Sequence, residues 1–135
     1  MKNQLKKIGG LSLVLLLVST LQSFTPYDEL AGAKMAWVEM EYDFGSIEQG
    51  SPVSHDFEFT NNGEAPLVIN NVKTSCGCTV PNYPKDPIMP GESEMIKVTY
   101  NAAKVGSFNK KITVMSNADQ STYSLAIAGE VLGKK

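Results

Sequence analysis

Arginine is absent from this chain of 135 residues: all 12 of its basic residues are lysine, set against 14 acidic ones. Histidine and tryptophan occur once each, at His55 and Trp37, and cysteine twice, at Cys76 and Cys78. Each scarcity excludes something. Arginine supplies the bidentate contacts to phosphate and guanine on which nucleic-acid recognition relies. An acidic chain without it is not built to bind nucleic acid, nor to adhere to an anionic membrane surface. Two cysteines and one histidine cannot fill the four positions of a closed zinc site within one chain. A thiol nucleophile needs a positioned base, and only His55 could serve, so no catalytic constellation is expected.

Long apolar runs are equally scarce. The one near the start, Leu11 to Val18, is interrupted only by Ser12 and is shorter than the roughly 20 residues a bilayer crossing requires. Lys2, Lys6 and Lys7 precede it. A basic start followed by a short apolar core is the layout of a secretory signal peptide, assigned to residues 1–23. Cleavage is expected after Ser23 or as late as the small-x-small string Ala31-Gly32-Ala33. A lipoprotein anchor would need a cysteine just after the apolar core, and the first is Cys76. The expected product is therefore exported, periplasmic or secreted, with no stable membrane insertion. Removing residues 1–23 leaves nine lysines against fourteen acids, a net charge of −5. Residues 24–36 read as a tether, and 37–132 as a single folded domain.

What the domain does have is alternation. Between Ala36 and Phe44, Val38, Met40, Tyr42 and Phe44 alternate with Glu39, Glu41 and Asp43, the period of a half-buried strand. Val53 to Phe59 repeats it, and Asn61-Asn62-Gly63 follows as a turn that tolerates positive φ. Further strands are expected over Leu67–Val72, around Ile96, Val98 and Tyr100, from Phe108 to Met115, and around Tyr123, Leu125 and Ile127. Lys110 interrupts the apolar row of the Phe108 strand and is placed near an exposed edge. Pro81, Pro84 and Pro87 exclude a central strand from their stretch, which leaves room for an edge strand between Thr79 and Met89. Six strands and this seventh, with no helix signal, predict an all-β antiparallel sandwich of the immunoglobulin-like type. A small β-barrel shares the same local signals. Trp37 is expected to cap the core, the acidic row to face solvent, and His55 to lie inward beside Phe57.

Chemistry, if any, is concentrated in Thr74-Ser75-Cys76-Gly77-Cys78-Thr79. Exported cysteines often pair, and here an intramolecular bond must join Cys76 to Cys78. Residues two apart in an extended strand are separated by about 6.6 Å, near the upper limit for a disulfide. Gly77 is expected to relieve this with a backbone conformation that other residues avoid. Chain entropy gives so small a loop only roughly 1.6 kcal/mol of stabilisation, so the ring would be a poor staple and a readily reduced bond. Paired thiolates also suit soft ions such as Cu(I) or zinc, with His55 and Met89 as the available extra ligands or a second copy completing the set. Inert thiols beside a tight turn are the plain alternative. No cofactor is implied.

The strings Tyr42-Asp43-Phe44-Gly45, Phe59-Thr60-Asn61-Asn62-Gly63, Thr74 to Thr79, Pro90-Gly91 and Ser116-Asn117 resemble a bacterial family known as the domain of unknown function 1573. The resemblance runs from about Trp37 to Val131 and implies an immunoglobulin-like fold in exported proteins. It implies no activity, and fold kinship is only analogy for function. Pilus chaperones resemble the same sandwich, but they anchor a pilin terminus with an arginine and a lysine, and this chain has no arginine. The expected role is a non-enzymatic interaction or structural module of the cell envelope that meets a protein partner along a strand edge. The alternative is a thiol-redox or soft-metal protein built on Cys76 and Cys78.

Overall fold

Alternating sequences fold by turning their apolar rows toward one another, and here two four-stranded sheets do so. The computed structural model describes residues 32–135; the signal peptide and most of the tether lie outside the described residues. The strands are β1 (Met35–Trp37), β2 (Glu41–Glu48), β3 (Val53–Asn61), β4 (Ile69–Thr74), β5 (Thr79–Asn82), β6 (Ser93–Tyr100), β7 (Gly106–Ser116) and β8 (Thr122–Leu132). One sheet has the order β1-β3-β6-β5 and the other β2-β8-β7-β4. Phe57, Phe59, Ile96 and Val98 from the first are fully buried, as are Ile112, Val114, Leu125 and Ile127 from the second. Burying one such side chain stabilises the fold by about 1.5–3 kcal/mol.

The eighth strand arises where one was expected from Ala36 to Phe44. The chain leaves β1, antiparallel to β3, and re-enters the opposite sheet as β2, parallel to β8. The period of two persists through the crossing, so alternation alone does not mark it. Val38 falls in the crossing and is 71% exposed, although the pattern places it with the core row. Parallel pairing of β2 with β8 is the one departure from antiparallel order among the described residues.

The folded unit also starts earlier than the boundary drawn at residue 37. Ala33 is buried, and the carbonyls of Gly32, Ala33 and Lys34 accept hydrogen bonds from the amides of Glu64, Asp119 and Asn62. Gly63 makes this seat possible. A Cβ there would lie 2.6 Å from Lys34 N and 2.9 Å from the carbonyl carbon of Ala33, closer than backbone can yield. Pro81 lies in β5, an edge strand, where a missing amide is tolerated. Lys110 occupies the part of β7 beyond the end of β4, which stops opposite Ile112. The expected exposed edge is there, on a strand that is interior for the rest of its length.

Candidate functional site: the Cys76–Cys78 crossover and the adjoining edge of β7

The two cysteines sit where the chain passes from β4, the edge of one sheet, to β5, the edge of the other. Cys76 and Cys78 are joined in a disulfide with their Cα atoms 5.3 Å apart, well inside the range such a bond accepts. The compression below the extended spacing comes from a turn in which Thr79 N donates to Cys76 O over 3.5 Å. The expected special conformation of Gly77 is not used. Gly77 is absent from the positive-φ glycines, and a Cβ built on it meets nothing within 4 Å. Gly77→Ala is accordingly expected to change stability by less than about 0.5 kcal/mol, measured by urea denaturation of the oxidised protein. A larger loss would mean that the glycine is needed for ring closure after all.

The flanking threonines hold the loop. Thr74 Oγ1 lies 2.8 Å from Cys76 O and 3.2 Å from Thr79 O, so its hydroxyl donates across the base of the turn. The buried Thr79 places Oγ1 3.6 Å from Cys76 Sγ and 3.9 Å from Cys78 Sγ. One hydroxyl thus serves either sulfur, and a hydroxyl donor stabilises a thiolate if the bond opens. Asn101 N donates to Cys78 O over 3.0 Å, and Ser75 N to Lys111 O over 3.1 Å, tying the loop to both sheets. Cys78 is partly buried against the core while Gly77 is exposed, so the bond has one packed side and one open side. Reduction is expected to cost no more than about 2 kcal/mol, read as a small fall in the urea midpoint of protein treated with reductant. A loss several times larger would make the bond a structural staple.

The other proposed metal ligands are elsewhere. His55 Nε2 hydrogen-bonds Glu39 Oε1 at 2.6 Å, its ring stacks on Tyr42 at 3.7 Å, and Phe57 meets it edge-on at 4.9 Å. This is the partly buried, satisfied histidine that its place beside Phe57 implied. Glu39 is correspondingly not a free member of the solvent-facing acidic row. Met89 precedes β6, whereas Tyr100, at its other end, pairs with Thr79 beside the cysteines. The length of β6 separates them by about 23 Å. Among the described residues no three His, Cys, Asp or Glu side chains converge on a metal-sized site. Three surface grooves of about 280, 320 and 340 Å³ are lined by neither cysteine nor His55.

Beside the loop lies a feature that the sequence reading missed. β8 pairs with β7 along Gly106–Met115, but β4 pairs only with Ile112–Ser116. Lys111 turns both backbone groups toward β4, since its carbonyl accepts from Ser75 N and its amide donates to Ser75 Oγ. Backbone direction alternates along a strand, so Ser107 and Asn109 aim their N–H and C=O groups to the same side. No strand among the described residues takes them up. The crossover has removed the continuation of β4 and left a lane about 17 Å long, with the disulfide at its head. Only Lys110, breaking an apolar row, hinted at this opening in the sequence.

Comparison with known proteins agrees with this architecture. Residues 35–131 match the family described as "Protein of unknown function (DUF1573)". The chain belongs to that family. No curated protein matches it. A protein of unknown function from Porphyromonas gingivalis W83 is similar in structure, with a TM-score of 0.66 and 19% identity over 75% of this chain and 48% of that one. This family member thus spans about half the length of that relative. PapD-like domain 7 of human CEP192 matches with a TM-score of 0.64 and 10% identity over 76% of this chain and 87% of that one. A chain of the CsuC–CsuE chaperone–tip adhesion subunit complex of Acinetobacter baumannii matches with a TM-score of 0.54 and 14% identity, over 73% of this chain and 57% of that one. At these identities the likeness is one of fold, a PapD-like, immunoglobulin-like sandwich. No helix of the described residues is long and apolar enough to cross a membrane.

Proposed function

We infer that this DUF1573 protein is an exported, non-enzymatic module of the cell envelope that binds protein partners along exposed strand edges. The observation that carries this reading is the stretch Gly106–Lys110 of β7, which pairs with β8 on one side and with no strand of the described residues on the other. Strand addition to such an edge satisfies backbone groups on both chains, and alternate side chains supply specificity. Export is supported by the basic start and short apolar run at the N-terminus. The fold is shared with a chain of a pilus chaperone–subunit complex, which is compatible with a partner-binding role.

The other edges are less inviting. β2 is bulged between Asp43 and Ser46 and carries Glu41, Asp43 and Glu48; β5 carries Pro81; the part of β3 that β1 leaves uncovered carries Asp56 and Glu58. Bulges, prolines and charges are the usual means of blunting an edge. Photo-crosslinking groups placed in the exported protein at Ser107 or Asn109 are therefore expected to give discrete adducts in living cells. The same groups at Glu41 or Asp56 are expected to give none. Equal labelling at all four positions, or none at any, would refute edge binding.

A second reading, thiol exchange at Cys76–Cys78, is favoured by one specific arrangement. The disulfide has an open side at Gly77 and a hydroxyl within reach of both sulfurs.

A further inference from the structure

We propose that the lane beside β7 and the disulfide at its head form one site, which takes an extended, acidic, cysteine-bearing segment of another exported protein and exchanges disulfides with it. The proposal rests on the edge-binding reading above and adds the chemistry of the partner. Three observations converge. The backbone groups of Ser107 and Asn109 are open to strand addition on the side from which Lys111 reaches Ser75. A segment laid there continues the line of β4, so its leading residue arrives at Ser75 and Cys76. Gly77 is exposed and the two cysteines are only partly buried, so the turn is reached from solvent.

Charge selects the occupant. Lys110 and Lys111 stand at the disulfide end of the lane and Glu130 pairs across from Ser107 toward its far end, while the other edges are acidic or interrupted. A segment with acidic side chains flanking its two cysteines is attracted to the disulfide end of this lane and repelled by β2 and β3. Exposed Val105, at the entrance to β7, and exposed Val80, just after the loop, are available to its apolar residues. A second copy of this chain fits less well, since its uncovered edges on β2 and β3 bear no cysteine.

The exchange is balanced without any further reagent. A thiolate of the segment attacks Sγ of Cys76 or Cys78, forming one S–S bond as the Cys76–Cys78 bond breaks. The displaced cysteine leaves as a thiolate next to Thr79 Oγ1 and then takes up a proton. A second thiolate of the segment attacks the mixed disulfide, so the segment ends as a disulfide and Cys76 and Cys78 as two thiols. The two electrons gained by the pair are those lost by the segment. Thr79 acts here by steadying the leaving sulfur.

The test uses the oxidised full chain after export and synthetic eight-residue peptides of alternating valine and threonine with two cysteines. One peptide carries flanking glutamates, a second flanking lysines, and a third is the glutamate peptide N-methylated on alternate amides so that it cannot add as a strand. Protein thiols are counted by alkylation and mass, and rates are compared per thiolate. The glutamate peptide is expected to reduce the disulfide on the order of 100-fold faster than its N-methylated form, as docking raises the effective thiol concentration. Lys110→Glu with Lys111→Glu is expected to reverse the preference between glutamate and lysine peptides. Thr79→Val is expected to slow every peptide without altering their order. Equal rates for the methylated and unmethylated peptides overturn the proposal. A Cys76→Ser, Cys78→Ser protein separates docking from chemistry: peptide-induced shifts at the amides of Ser107 and Asn109, combined with equal exchange rates in the intact protein, sink this proposal and leave edge binding standing. Protection of those amides that depends on protein concentration instead assigns the lane to a second copy and likewise overturns it.

Discussion

Asn61→Asp is expected to destabilise the folded protein by on the order of 4 kcal/mol near neutral pH, although it replaces one atom by another of similar size. Asn61 is fully buried. Its amide nitrogen donates to Ala65 O at 2.8 Å and Ile88 O at 2.9 Å. Its amide oxygen accepts from Gly63 N at 3.0 Å and Lys34 N at 3.3 Å. One side chain therefore fastens β3 to the 61–65 turn, to the Leu67–Ile88 bridge, and to the segment that leads into β1. An aspartate turns an acceptor toward two carbonyl oxygens, leaving Ala65 O without its side-chain donor and Ile88 O with only its bond from Leu67 N, and a buried group left unpaired costs about 1–3 kcal/mol. The sign of the pH dependence follows. Burial and the facing carbonyls favour the neutral acid, so its pKa in the folded variant lies above the unfolded value. Its penalty is then largest above that folded value and shrinks as pH falls through it, when the protonated oxygen can donate to one carbonyl. Urea midpoints of variant and parent at neutral and mildly acidic pH check this; a gap that stays constant or widens on acidification contradicts it.

That residue also shows where the sequence was legible and where it was not. The break at Asn61-Asn62-Gly63 is legible because Asn and Gly favour chain reversals over a few residues, although none of the three adopts positive φ and Gly63 is needed for the close approach of Lys34 instead. The partners of Asn61 at Lys34 and Ile88 are 27 positions away in either direction, and local preference carries no record of them. The core rows of β3, β6, β7 and β8 were readable for the same local reason, since burial on one face imposes a period of two. The division between β1 and β2 was not, because a strand that changes sheets keeps its alternation. At the candidate site, composition and spacing identified the cysteine pair and excluded a closed zinc site. They could not show that β4 stops short of the end of β7, because the length of a pairing is a property of two segments. The expectation for Gly77 failed for a related reason: the turn through Thr79 N and Cys76 O closes the ring with ordinary backbone. What glycine leaves there is an open face beside two sulfurs.

Phe59→Ala is expected to cost about 3–5 kcal/mol, and the sole tryptophan will report it. Phe59 is fully buried in β3, its ring centroid 5.1 Å from that of Trp37, which in turn lies 5.9 Å from Tyr123. These three rings close the β1 side of the sandwich. Burial first, and then the charge of Asp119, push the pKa of Tyr123 above the ordinary phenol value. Trp37 Nε1 is buried without a hydrogen-bond partner, so the indole is held in place by packing alone. Removing Phe59 deletes the wall against which it packs, and the cavity cannot be filled without moving β1. The urea midpoint should fall with little change in slope, and native-state Trp37 emission should shift to the red as water reaches the ring. Met95 supplies the control. It faces Glu58 on the neighbouring strand but is 48% exposed, so Met95→Ala should lose less than about 0.5 kcal/mol and leave the emission unchanged. Equal losses in the two variants would mean that the aromatic wall does not anchor β1. The disulfide stands at the other end of β3 and β6, where Val53 and Thr79 pair with Tyr100. Its rate of reduction in Phe59→Ala should match that of the parent while the variant remains folded, because the cysteine loop and the lane beside β7 draw on contacts that Phe59 does not make.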